Sequence, residues 1–121
     1  MIYIIDDDES VRRGFLVLLQ SAGLEAQVFP SVDEFFEGAK LANHDCIITD
    51  IRMPGRDGFQ LMEELRSRNI GVPVIVVTAY DNAESRELAR KLGAKAFFRK
   101  PVDDQALIDT IHWSIEKEHR Q

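Results

Sequence analysis

The sequence predicts an α/β fold built on a parallel sheet, and three features carry the prediction. Short apolar runs alternate with segments of helical period five times along the chain. One run, VPVIVVTA, is almost continuously β-branched, the composition of a strand covered on both faces. The segments between runs are long enough to be crossover helices, which join parallel strands with a right-handed turn.

The chain opens with MIYIID, a strand over residues 1–6 that stops against a run of acids. SVRRGFLVLLQSAG follows as a helix with Val11, Phe15, Leu18, Leu19 and Ala22 on one face and Gly23 as its stop. Asp8, Glu9 and Ser10 stand at its start, where acids suit the macrodipole and cap free amides. LEAQVF is a short second strand. In SVDEFFEGAKL, Ser31 and Glu34 have capping-box spacing and begin a second helix. DCIITD, residues 45–50, is the third strand and again ends on an acid.

The loop IRMPGRDG is rich in breakers; Met53 and Pro54 shape it, and Asp57 reads as a turn or N-cap residue. FQLMEELRSRN continues as a helix with Phe59, Met62 and Leu65 in step. VPVIVVTA, residues 72–79, is the fourth strand, and NAESRELARKLGA is a helix closing near Gly93. Its Arg86, Arg90 and Lys91 read as a solvated face. AKAFFRK is the fifth strand, broken by Pro101, and VDDQALIDTIHWSIEKEH is the last helix, with Trp113 as a packing anchor. The polar tail, 115–121, reads as the start of a linker or a fraying helix end.

A chain of 121 residues holds one domain, and its 45% hydrophobic and 30% charged content is that of an ordinary soluble globular protein. No apolar run approaches the roughly 18 residues of a membrane span, and the start lacks the basic and apolar regions of a signal peptide. These features point to a cytoplasmic protein with no membrane contact. The lone Cys46 lies in a strand and reads as a small buried residue in a reducing compartment. A net charge of −6 argues against direct nucleic-acid contact. His44, His112 and His119 are scattered, with no zinc-like spacing.

The chemistry collects at the strand ends. In a parallel sheet all strand C-termini share one rim, where ligands bind in open α/β folds. Read along the chain, that rim carries Asp6 and Asp7, then Asp50, Thr78 and Lys100. Close pairs of ionised carboxylates repel by about 4 kcal/mol at an effective dielectric near 20. Their pKa values must rise, or a cation must sit among them. Hard oxygen donors with room for water and phosphate suit Mg²⁺, or Mn²⁺. Such a socket, with a lysine and a hydroxyl, suits phosphoryl transfer. Asp50 is the candidate nucleophile; Asp7 binds the metal directly and Asp6 binds it through water, while Thr78 and Lys100 each hold a phosphoryl oxygen.

With IIDDDESVR, IITDIRMPGRDG, VIVVTA and FFRKP in this order, the whole chain resembles the receiver domains of two-component response regulators, the CheY-like superfamily. The resemblance implies a flavodoxin-like (βα)5 three-layer sandwich with strand order 2-1-3-4-5. It implies that residues 1–121 are a receiver whose phosphoacceptor is Asp50, fed by a sensor histidine kinase. It adds the main-chain carbonyl of Arg52 to the metal ligands, makes Lys100–Pro101 a cis peptide, and assigns Thr78 and Phe97 to the switch, with Phe98 left as core. Arg52 and Tyr80 fall where side chains modulate loss of the phosphoryl group to water. Two bulky residues there imply slow dephosphorylation.

The family's switching repacks the fourth helix, fifth strand and fifth helix, a face also used for phosphorylation-dependent homodimers. The wording of TDIRMPGRDG and FFRKP is nearest to FixJ-like and NarL-type regulators, whose DNA-binding domain lies C-terminal to the receiver. The implied output is therefore transcription through such a domain, with a stand-alone receiver as the alternative. The protein is expected not to be an enzyme beyond its own phosphorylation and dephosphorylation. Rival readings are a pseudo-receiver interaction module, a haloacid-dehalogenase-type phosphatase and a flavodoxin-like electron carrier. The second lacks room for a cap, and the third lacks a hydroxyl- and glycine-rich phosphate loop.

Overall fold

A computed structural model describes residues 1–119, with side chains through Glu116. The strands are β1 (Ile2–Ile5), β2 (Ala26–Phe29), β3 (Cys46–Thr49), β4 (Val74–Thr78) and β5 (Ala96–Arg99). The helices are α1 (Glu9–Ser21), α2 (Val32–Gly38), α3 (Gly58–Ser67), α4 (Ala83–Lys91) and α5 (Asp104–His119). The strands form one parallel sheet in the order β2-β1-β3-β4-β5. Of the expected linker or fraying end at 115–121, residues through His119 are helical, and residues 120 and 121 lie outside the described residues.

Successive strand residues point to opposite faces, so each apolar run supplies two cores. Tyr3, Ile5, Ile47, Val74 and Val76 face one side, where they meet Val32, Phe35, Leu61, Met62, Leu65 and Ala89 from α2, α3 and α4. Ile2, Ile4, Cys46, Ile48, Ile75 and Val77 face the other, against Phe15 and Leu19 of α1 and Leu107, Ile108 and Ile111 of α5. The result is a three-layer sandwich. Phe97 and Phe98 on the edge strand β5 divide in the same way, each half-buried, one toward each core.

Local chemistry sets the helix starts. Asp8 accepts from the amides of Ser10 and Val11, and Ser31 from that of Glu34. Asp57 and Gln60 form a reciprocal capping box on α3. Two expectations on burial need correction: Ala22 is exposed after α1, and Trp113 is 49% exposed. The inner face of α5 is already filled by Leu107, Ile108, Ile111 and Ser114, which leaves Trp113 off the buried stripe.

On the α2–α3 side, Tyr3, Phe29, Phe35 and Phe36 form a chain of tilted and edge-on rings with centroids 5.1–6.1 Å apart. Phe36 also lies against two guanidinium groups, those of Arg56 at 5.2 Å and Arg68 at 4.4 Å. Arg56 pairs with both Asp33 and Glu64, and Arg68 pairs with Glu64. This lattice fastens α2 to α3.

At the mouth of α3 the backbone of Gly58 donates to Ile51 O at 2.8 Å. A Cβ at Gly58 would lie 2.3 Å from the Asp50 carbonyl oxygen. Alanine is the better helix former by up to about 1 kcal/mol, but overpacking against a fixed carbonyl costs roughly 1–3 kcal/mol. Gly58→Ala is therefore expected to lower the urea unfolding midpoint; an unchanged or higher midpoint would show that the loop yields freely.

Candidate functional site

The sheet ladder continues beyond the strand ends into the site. Asp6 N donates to Phe29 O at 3.2 Å, Asp50 N to Ile5 O at 3.1 Å and Lys100 N to Thr78 O at 2.8 Å. These bonds fix the main chain of the rim residues on a shared edge. Asp6 is 2% exposed, Asp50 7% and Thr78 0%.

Lys100 joins the two buried acids. Its Nζ donates to Asp6 Oδ2 at 2.8 Å and to Asp50 Oδ2 at 2.7 Å. The other oxygens are also occupied: Asp6 Oδ1 accepts from Asp8 N at 2.9 Å, and Asp50 Oδ1 from Ile51 N at 2.6 Å. Burial pushes the Asp6 carboxyl up, aided by the Asp50 charge, and Lys100 with the Asp8 amide only partly offsets this. For Lys100 burial pulls downward, but the bonds to Asp50 and Asp6 outweigh it and hold the ammonium above its ordinary range.

Thr78 ends β4 at the same rim, its hydroxyl accepting from Tyr80 N at 3.1 Å. Asp7 is exposed in the turn between β1 and α1. Among the described residues, no three Asp, Glu, His or Cys side chains stand gathered as a metal cage. The carboxylates held together are Asp6 and Asp50, with Lys100 between them. Their hard oxygen donors nevertheless fit a Mg²⁺ or Mn²⁺ ion that keeps waters and shares its ligands with phosphate. Arg52 and Tyr80, each two residues beyond a rim residue, meet with the guanidinium carbon 4.1 Å from the ring centroid. The Lys100–Pro101 peptide is cis.

Sequence reasoning missed two supports. Arg12, one turn into α1, donates to the Asp6 carbonyl at 2.7 Å; nothing in VRR distinguishes it from its neighbour Arg13, which pairs with Glu9 on the surface. Gly58 was visible only as part of a turn signal, although it is the close-approach point beneath Asp50.

A five-stranded parallel sheet of this order, with two acids and a lysine joined at its C-terminal rim, defines a class. The model of the response regulator receiver domain matches residues 2–112, and the chain belongs to that family. Receiver domains are signalling proteins of two-component systems rather than classical enzymes. The chain is 37% identical over 120 residues to the transcriptional regulatory protein FixJ of Azorhizobium caulinodans, covering 99% of this chain and 57% of that protein. It is 35% identical over 119 residues to the DNA-binding transcriptional regulator NtrC of Klebsiella pneumoniae, covering 98% of this chain and 25% of that one.

Among solved structures, that of the response regulator StyR superposes with a TM-score of 0.90 at 36% identity, over 98% of this chain and 60% of that one. FixJ-N superposes at 0.87 with 30% identity, over 95% and 92%. The chain thus spans a little over half the length of the FixJ relative and a quarter of the NtrC relative. No helix among the described residues is long and apolar enough to cross a membrane.

The raised Asp6 pKa gives a signed expectation. The folded state holds the Asp6 proton more tightly than the unfolded chain, so the ionised form opposes folding at neutral pH. That opposition is absent well below the ordinary value of 3.8 and complete once pH passes the folded value. In metal-free buffer at pH 7–8, Asp6→Asn is expected to raise the urea midpoint, with the gain shrinking as pH falls toward 4. A lower midpoint at neutral pH would mean that the bond to Lys100 outweighs burial.

Proposed function

We propose that the chain is a phosphorylation-activated switch that accepts a phosphoryl group on Asp50 from the phosphohistidine of a sensor histidine kinase. The observation that carries the reading is the Lys100 ammonium held between Asp50 and Asp6 at the sheet rim. An Asp50 carboxylate oxygen attacks phosphorus, the P–O bond forms as the donor's P–N bond breaks, and the imidazole leaves with a proton. Asp7, Asp50 and the main-chain carbonyl of Arg52 would hold Mg²⁺ or Mn²⁺, with Asp6 reaching it through water. The ion's part is to neutralise charge on the phosphoryl oxygens. Lys100 exchanges its Asp50 contact for a phosphoryl oxygen, and the Thr78 hydroxyl bonds another.

The phosphoryl group adds about 1.5–2 negative charges and three acceptor oxygens. When Thr78 turns toward them, its bond from Tyr80 N is given up and Phe97 rotates inward. The face of α4, β5 and α5 is then presented differently to a partner or a second copy, a population shift between two states. Exposed Leu88 and Trp113 lie on its helices. The relatives named as transcriptional regulators support an output in transcription. That output would run in the cytoplasm through a DNA-binding domain outside these residues, and the receiver itself touches no nucleic acid.

Incubation with Mg²⁺ and acetyl phosphate is expected to add the mass of one phosphoryl group, and Asp50→Asn to abolish that gain without unfolding the protein. Labelling that survives the substitution would remove Asp50 from its role. The stacked Arg52 and Tyr80 are expected to obstruct the attacking water. The double variant Arg52→Asn, Tyr80→Glu should therefore lose its phosphoryl group faster than the parent, and an equal decay rate would refute that assignment.

A further inference from the structure

α4 carries in its first turn a residue that works against it. Arg86 is the fourth residue of the helix, in a first turn where the positive end of the macrodipole disfavours a cation. Its side chain makes two contacts that lead out of the helix. Its Nε and second terminal nitrogen form a fork on Asp81, at 2.5 and 3.0 Å to the two carboxylate oxygens. Its guanidinium carbon lies 4.8 Å from the centre of the Phe97 ring on β5. A side chain that breaks a local rule and is held from two sides is a reason to look for a task outside the helix.

Asp81 follows Tyr80, whose amide donates to the Thr78 hydroxyl and whose ring carries Arg52. The loop between β4 and α4 is therefore gripped at one end by the rim hydroxyl and at the other by Arg86. We propose that Arg86 is a positioning residue: with Asp81 it forms a latch that holds Phe97 in its resting place and so sets how readily the switch turns. The inference rests on the reading of Phe97 as the moving ring. Any movement of Thr78 that releases Tyr80 N shifts the backbone next to Asp81, and the fork carries that shift to the guanidinium covering Phe97. The hydrogen bonds from Arg86, aided by its charge and that of Arg99, hold the Asp81 carboxyl below its ordinary range. Both partners lie near the surface, so salt weakens the latch.

A mutant cycle measures the coupling between the latch and the ring. The protein is labelled with fluorinated phenylalanine, and the Phe97 signal is identified by its loss in Phe97→Leu. The first comparison is made in the Asp50→Asn background, which cannot accept phosphate. There Arg86→Gln and Asp81→Asn are each expected to move the Phe97 fluorine resonance in the same direction. The double variant should move it no further, and Arg86→Lys, which keeps the charge but not the fork, should move it less. With Asp50 present, the same variants should speed labelling by acetyl phosphate about 2- to 5-fold, the loss expected of an exposed cation–π contact, with urea midpoints near the parent's.

An unmoved resonance in Arg86→Gln overturns the latch, as do additive effects in the double variant. A moved resonance with labelling at the parent rate overturns it too, because the contact then has no bearing on the switch. Failure of the parent to take any label would instead defeat the acceptor assignment, a result the resonance experiment does not share.

Discussion

Two carboxylates buried at one rim would oppose folding if nothing lay between them, and the Lys100 ammonium is what makes their meeting tolerable. Everything around the site follows from letting that cation arrive. β1 and β3 must be neighbours so that Asp6 and Asp50 face one another, and the parallel direction puts both at the same edge. Lys100 starts at the end of β5, two strands from β3 and so roughly 10 Å away across the sheet. Only a long, flexible cationic side chain bridges that gap. An ammonium also shares itself between two acceptors and re-aims easily, where a guanidinium would lock onto one carboxylate in a planar fork.

Much of this was legible in the chain. The alternation of apolar runs with helical segments set the fold, since each strand must feed two cores and each helix one. The rim was legible because a parallel sheet turns the position "last residue of a strand" into a place in space. That rule alone assigns residues as distant as Asp6 and Lys100 to one site. What escaped has a common physical cause. Arg12 reaches a backbone carbonyl, Gly58 matters through a side chain it lacks, and Arg86 acts across a loop and a neighbouring strand. Periodicity reports the face a residue occupies, and none of these three roles is a property of a face. Trp113 erred the other way: its size suggested packing, but smaller residues had already filled the inner stripe of α5.

The two halves of the sheet are held unequally. On the β2 side the aromatic chain from Tyr3 to Phe36 and the Arg56–Glu64–Arg68 lattice join α2 and α3 to β1 and to each other. On the β5 side Phe97 and Phe98 are half-buried on an edge strand, and the buried residue that α4 contributes is Ala89. Asp6 belongs to the first half, Asp50 to the end of the central strand β3, and the proposed moving ring to the second half.

That small anchor under α4 has a consequence for how such a protein diversifies. A helix whose buried side chain is a single methyl group can change its outward side chains, Arg86 apart, at little cost to the core. Its outward vocabulary can be rewritten for one listener after another while the acidic rim keeps its grammar.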